Sequence, residues 1–355
     1  MLLLAVSLSA SDLAFELVGL AVSVASQGPL VQLAGFAAYL SWAWIVSVRA
    51  VAVCAGKQFP QLLYAAGIIT VLMAGALFVL PRAELWVPEP AGAPVPAALA
   101  HEKAFHDQGE LIERQLAAIE AGRPGVTELY FIGFAPDGGQ DVFLREMRSV
   151  RGILDSRFGT RGRSIALISS QSTLTEYPIA TAANLRRSLK QVAARMNTDE
   201  DVLFLYITAH GDARHELSAY APPLELERVN PTVLSRALHD AGIKWKVLVI
   251  SACYAGGFIE PLKDDNTLII TAAAADRQSF GCESGNDWTY FGEAYFGQAL
   301  GRTRSFLEAF ALAAQAVAAR EAAEKLSPAS NPQMFSGRAI AEKLAQLPSP
   351  EGPAK

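Results

Sequence analysis

The chain has 355 residues, 18% of them charged, a net charge of −5 and a mean hydropathy of +0.23. That length suits two or more domains, and an acidic balance with no long basic run argues against nucleic acid as a partner. Three cysteines, Cys54, Cys253 and Cys282, are too few and too scattered for a disulfide framework or a zinc site, and their odd number leaves at least one free thiol.

The apolar character is concentrated at the start. In residues 1–80 the only charges are Asp12, Glu16, Arg49 and Lys57. The stretches 30–48 and 61–80 each have the length that crosses a bilayer core, about 20 residues. Trp42, Trp44, Tyr64 and Trp86 are placed to sit at interfaces. A third apolar stretch, 2–26, carries Asp12 and Glu16 on one helical face, where burial at mid-bilayer costs at least about 2.5 kcal/mol per charge. No basic residue precedes it, so it reads poorly as a signal peptide. Residues 1–80 are therefore expected to form a helical membrane region. Arg49 and Lys57 flank the turn between the two clear spans and put that turn in the cytoplasm and the chain after residue 80 outside it.

Pro81, Pro88, Pro90, Pro94 and Pro96 predict a stiff linker over 81–100. Residues 101–121 read as an amphipathic helix with Phe105, Leu111, Leu116 and Ile119 on its apolar side, within a connector that runs to 127. From 128 the pattern alternates. Strands are predicted over 129–135, 164–169, 202–208, 247–251 and 267–274, with a last one at 333–335. Helices are predicted over 141–158, 182–196, 233–241 (closed by Gly242), 288–300 and 306–326, with a short one near the end. Strands that are apolar on both faces and alternate with helices predict a doubly wound α/β domain over 128–345 with a mainly parallel sheet, followed by a tail at 346–355.

Two of these strands end in reactive side chains. Thr208-Ala209-His210-Gly211 closes the third, and Ser251-Ala252-Cys253-Tyr254-Ala255-Gly256-Gly257 follows the fourth, 43 positions from histidine to cysteine. Ligands of such sheets bind beyond the carboxyl ends of the strands. An imidazole and a thiol meeting there form a base and a nucleophile. Gly211 leaves a backbone N–H facing the site, and Gly256-Gly257 gives a tight turn. His215 and His239 read as surface residues, Cys282 as a buried or neighbouring thiol, and Cys54 as inert at a membrane edge. Asp276-Arg277 is expected to shape a substrate loop.

These motifs resemble the legumain family of cysteine peptidases, peptidase family C13. So do Ala274-Ala275-Asp276-Arg277-Gln278-Ser279-Phe280-Gly281-Cys282 and Trp288-Thr289-Tyr290-Phe291-Gly292. The likeness is to bacterial, membrane-anchored members, and it covers residues 128–345. It implies a caspase-like fold, a His210–Cys253 dyad, an oxyanion hole from the N–H groups of Gly211 and Cys253, and a protein or peptide substrate. It implies no metal or organic cofactor and a bacterial inner-membrane location, where Arg49 and Lys57 put the catalytic domain in the periplasm. Acyl transfer to an amine also lies within the range of this family, and the alternative of another class is an inactive peptidase-like domain that binds peptides for a membrane complex. Legumain holds an asparagine before the cut with an arginine, acidic groups and a serine. Here Ser279 matches the serine and Glu293 falls at an acid, but Ser251 stands at another acidic position. The stretch Gly138-Gly139-Gln140-Asp141 lacks the arginine, the nearest being Arg145, so Gln140 or Asp141 is expected to replace part of the pocket. The resemblance therefore implies a preference for a polar residue before the cut, asparagine included, looser than in legumain.

Overall fold

The computed structural model describes residues 98–347 and, ahead of them, only helical positions at 41, 42, 44–46, 48, 49, 64 and 66–71. The spans expected at 30–48 and 61–80, the apolar stretch at 2–26, the linker before residue 98 and the tail after 347 otherwise lie outside the described residues. Among the described residues no helix is long and apolar enough to cross a membrane. The chain divides into two units, Met1–Pro94 and Val95–Lys355.

In the second unit, α1 (Ala98–Ala117) leads into β1 (Leu129–Ala135), α2 (Asp141–Arg157), β2 (Ser164–Ile168), α3 (Ala182–Arg195) and β3 (Val202–Thr208). Then come α4 (Pro231–Ala241), β4 (Trp245–Ser251), β5 (Thr267–Thr271), a helical run from Tyr290 to Arg302, α5 (Phe306–Ala323), β6 (Gln333–Ser336) and α6 (Arg338–Leu344). The sheet order is β2-β1-β3-β4-β5-β6, parallel except for antiparallel β6. This is the mainly parallel, helix-flanked sheet that the alternation predicts.

The strands alternate sides with period two, and each side has its own core. Tyr130, Ile132, Leu203, Leu205, Leu248 and Ile250 pack against Leu189 of α3 and Leu234 of α4. Phe131, Phe204, Tyr206, Val247 and Val249 pack against Met147 and Val150 of α2, Phe296, and Ala309 of α5. Both faces being buried is why these strands read as continuous apolar runs.

Differences from the sequence reading lie at the ends of elements. α4 starts at Pro231, two residues early, because Asn230 caps it by accepting from Val233 N at 3.0 Å and proline suits the first turn. β5 stops at Thr271 rather than 274, and Ala274 N–H turns to Ser330 O at 2.9 Å. The helix expected over 288–300 starts at Tyr290, capped by Thr289, and winds as a π-helix over Glu293–Ala299.

Candidate active site

β3 and β4 are paired in parallel with Thr208 opposite Ser251. His210 and Cys253 each lie two residues beyond that pair, so they leave the sheet side by side on adjacent strands, which are about 4.8 Å apart. The link continues past the ladder, since Ala209 N–H donates to Ser251 O at 3.2 Å. The two loops then cross so closely that a Cβ on Gly211 would lie 2.2 Å from Cys253 O. The glycine after the histidine is thus required by contact between the two strand ends. Gly211 N–H and Cys253 N–H donate to no acceptor among the described residues.

Cys253 is half-buried, and Ser279 wraps its sulfur. Ser279 N–H donates to Sγ at 3.3 Å, and Ser279 O and Oγ lie 3.5 and 3.6 Å from it. The loop after β5 therefore holds the thiol through Ser279. Tyr254, the next residue, is left-handed at φ 58°, and its N–H donates to Arg277 O at 2.7 Å. The His210 ring packs edge-on to Phe143 of α2, centroids 5.1 Å apart.

Two groups that the sequence reading passed over bind this geometry together. His215, expected at the surface, is half-buried. Its Nδ1 is 3.0 Å from Tyr254 O, and its ring lies where a Cβ on Gly257 would collide at 2.3 Å. It clasps the loop after His210 onto the loop after Cys253. Beneath them lies Glu146 of α2, fully buried. Its Oε1 accepts from Tyr206 Oη, and from Thr208 Oγ1 at 2.8 Å. Its Oε2 accepts from Thr289 N at 2.7 Å and Thr289 Oγ1 at 2.8 Å. Thr289 Oγ1 is in turn 3.2 Å from Ser251 Oγ. One carboxyl thus ties the strand end before His210, the strand end before Cys253 and the start of the helical run. Burial pushes the Glu146 pKa up, against the pull of its donors. A sequence signal existed, since Glu146 sits four residues from both Val142 and Val150, on the apolar stripe of its helix.

The remaining candidates lie as follows. Ser251 is buried, 2% exposed, and its hydroxyl is engaged by Thr289. Gln140 Oε1 accepts from Ser284 Oγ, so it reaches the loop beyond Cys282. Asp141 is exposed in the first turn of α2. Glu293 pairs with Arg320 at 2.8 Å, both about 40% exposed. Arg145 holds the 284–287 loop, donating to Asn286 O at 2.6 Å and pairing with Asp287 at 3.1 Å. Burial, with a smaller push from Cys253, raises the Cys282 thiol far above the ordinary range, so it holds its proton at neutral pH.

The sequence profile of the peptidase C13 family matches residues 182–334, a stretch that contains both strand-end loops and the Ser279 loop. Over these residues the chain is similar to the peptidase C13 family. The chain is thus legumain-like, as its motifs imply. The matched stretch carries the adjacent strand ends that lead to His210 and Cys253, and Ser279, whose N–H reaches the sulfur, while from the part of the chain before it Phe143 packs on His210 and Glu146 accepts from Thr208. The solved structure of caspase-1 from Spodoptera frugiperda is similar over 59% of this chain and 87% of its own, at 17% identity and a TM-score of 0.41. No curated protein matches the chain.

Proposed function

We propose that this C13 chain is a cysteine endopeptidase working through a His210–Cys253 dyad. The observation that carries the reading is the register of β3 and β4, which delivers both residues to one strand-end crevice with Ser279 fixing the sulfur. His210 takes the thiol proton, and Sγ attacks the peptide carbonyl carbon. The C–S bond forms as the carbonyl π electrons move onto oxygen. That oxygen meets the unengaged N–H groups of Gly211 and Cys253, donors of the kind whose removal costs about 10²–10³ in rate. The carbonyl re-forms, the C–N bond breaks, and His210 gives its proton to the leaving amine. Water then adds to the thioester with His210 as base, and the C–S bond breaks to release the acid and the thiolate. An amine in place of water gives the transpeptidase variant on the same dyad.

The residue before the cut is polar, asparagine included, held by Ser279 with help from Gln140. The domain is carried outside the cytoplasm on the apolar amino-terminal segments. The deciding experiment is labelling of the full chain by a peptidyl acyloxymethyl-ketone together with a peptide-library profile. Label on wild type and on Cys282→Ala, and none on Cys253→Ala, is the expected result. A loss of about 10²–10⁴-fold in cleavage is expected for His210→Ala. Label that survives Cys253→Ala and vanishes with Cys282→Ala in a folded protein refutes the assignment, and a bulky-apolar preference before the cut refutes the polar pocket.

A further inference from the structure

A cavity of about 40 Å³ opens on the same strand-end edge. Phe105 of α1, Leu174, Tyr220 and Pro222 give it an apolar wall, and Gly138 and Ser169, just past β1 and β2, lie against it. At roughly 10–15 Å³ of such space per water it takes about three waters, whose liquid volume of roughly 30 Å³ each brings them close to the bulk of a leucine side chain. Tyr220 is 52% exposed and forms an open lip. Ser169, 2% exposed, keeps a buried Oγ without a hydrogen-bond partner, an orphan that a finished core rarely leaves.

The path from the dyad to this cavity is fixed by main-chain bonds. Ser218 N–H donates to His210 O at 2.9 Å, Tyr220 N–H donates to Pro136 O at 2.9 Å, and Gly138 N–H donates to Tyr220 O at 2.8 Å. The chain therefore travels from His210 to the cavity wall in two residues, about 7 Å at roughly 3.3 Å each. The direction follows from the proposed chemistry, on which this inference rests. The group that leaves as an amine takes its proton from His210, so the substrate beyond the cut lies on the His210 side of Cys253. β3 stands between β4 and β1, so that side is also the side of β1, β2 and the cavity. An extended peptide covers the same 7 Å in two residues. We propose that this cavity is a specificity subsite that takes an apolar, leucine-sized side chain from the second or third residue after the cut.

Two measurements on the full chain test it. The first compares cleavage of two peptides that differ only in leucine or glycine at those positions. kcat/KM should favour leucine by about tenfold, the low end for filling an apolar pocket, and Tyr220→Ala or Phe105→Ala should shrink that ratio to about twofold. The second titrates dye-labelled versions of both peptides into the Cys253→Ala chain, which reads the cavity without catalysis. The leucine peptide should bind about tenfold tighter, and less so when Tyr220→Ala is added. That binding difference without any cleavage by the wild type would sink the dyad reading and keep the cavity as a peptide site. Equal leucine and glycine values in both measurements, or a leucine preference untouched by both Tyr220→Ala and Phe105→Ala, overturn the inference.

Discussion

Glu146→Gln tests how far the dyad depends on the carboxyl beneath it. The two Glu146 oxygens accept four hydrogen bonds, from Tyr206 and Thr208 on one and from Thr289 N and Oγ1 on the other. Glutamine keeps the shape but offers one acceptor oxygen and two donors. If its carbonyl stays on Tyr206 and Thr208, the Thr289 hydroxyl turns to accept from the amide, and Thr289 N–H is left with no acceptor. A buried, unpaired donor costs about 1–3 kcal/mol. In a domain of this size that lowers Tm by about 2–4 °C per kcal/mol, so a fall of about 4–8 °C is expected for a cost near 2 kcal/mol.

The pH dependence of that variant has a definite sign. Burial raises the folded pKa of Glu146 above its unfolded value, near 4.3. The folded chain then binds the proton more firmly than the unfolded one. The resulting stability is fully present below the unfolded pKa and is lost as pH rises through the raised value. Wild type should lose stability as pH climbs out of the carboxylate range, and Glu146→Gln should give a flatter profile. Thermal unfolding of the full chain across that range is the assay, paired with kcat and KM on one peptide. Thr208 and Ser251 carry the two strand ends, so kcat should fall by about ten- to hundredfold with KM nearly unchanged, the effect of a small displacement of reacting groups. An unchanged Tm with a parallel pH profile would refute the argument.

Gly257→Ala should lower activity and His215→Ala should lower it less, because the added Cβ meets the His215 ring at 2.3 Å whereas removing the ring only frees the loop. The double variant should recover part of the Gly257→Ala loss, and strict additivity in the measured rates would show that the two loops are not clasped. A reporter that is active only outside the cytoplasm, fused at Lys355, should be active, following from Arg49 and Lys57 between the apolar stretches. A cytoplasm-only reporter lighting up at the same point reverses the proposed topology.

The amino-acid sequence by itself determined which segments are strands, and that two of them end in His210 and Cys253. The reason is local, since a strand buried on both faces must be apolar throughout and must stop where polar chemistry begins. The Ser279 loop was legible through family likeness, and the structure brings it to the sulfur. Whatever depends on pairing across long separations was left to tertiary structure. Glu146 and Thr289 are 143 residues apart and meet only because α2 and the helical run share one face of the sheet. An acid on a helix ordinarily faces water, and although Glu146 lies on the apolar stripe of α2, the four donors from other elements that surround it are visible only in the fold. Glu293 shows the converse. Its place after Tyr290-Phe291-Gly292 suggests a pocket acid, and only the fold shows that Arg320, 27 residues on, pairs with it. His215 lies in a polar stretch that predicts exposure, and only the crossing of two strand-end loops turns its ring against Gly257. Local pattern sets the elements because it depends on neighbours in the chain, whereas the partners of a buried charge depend on which faces the sheet order brings together.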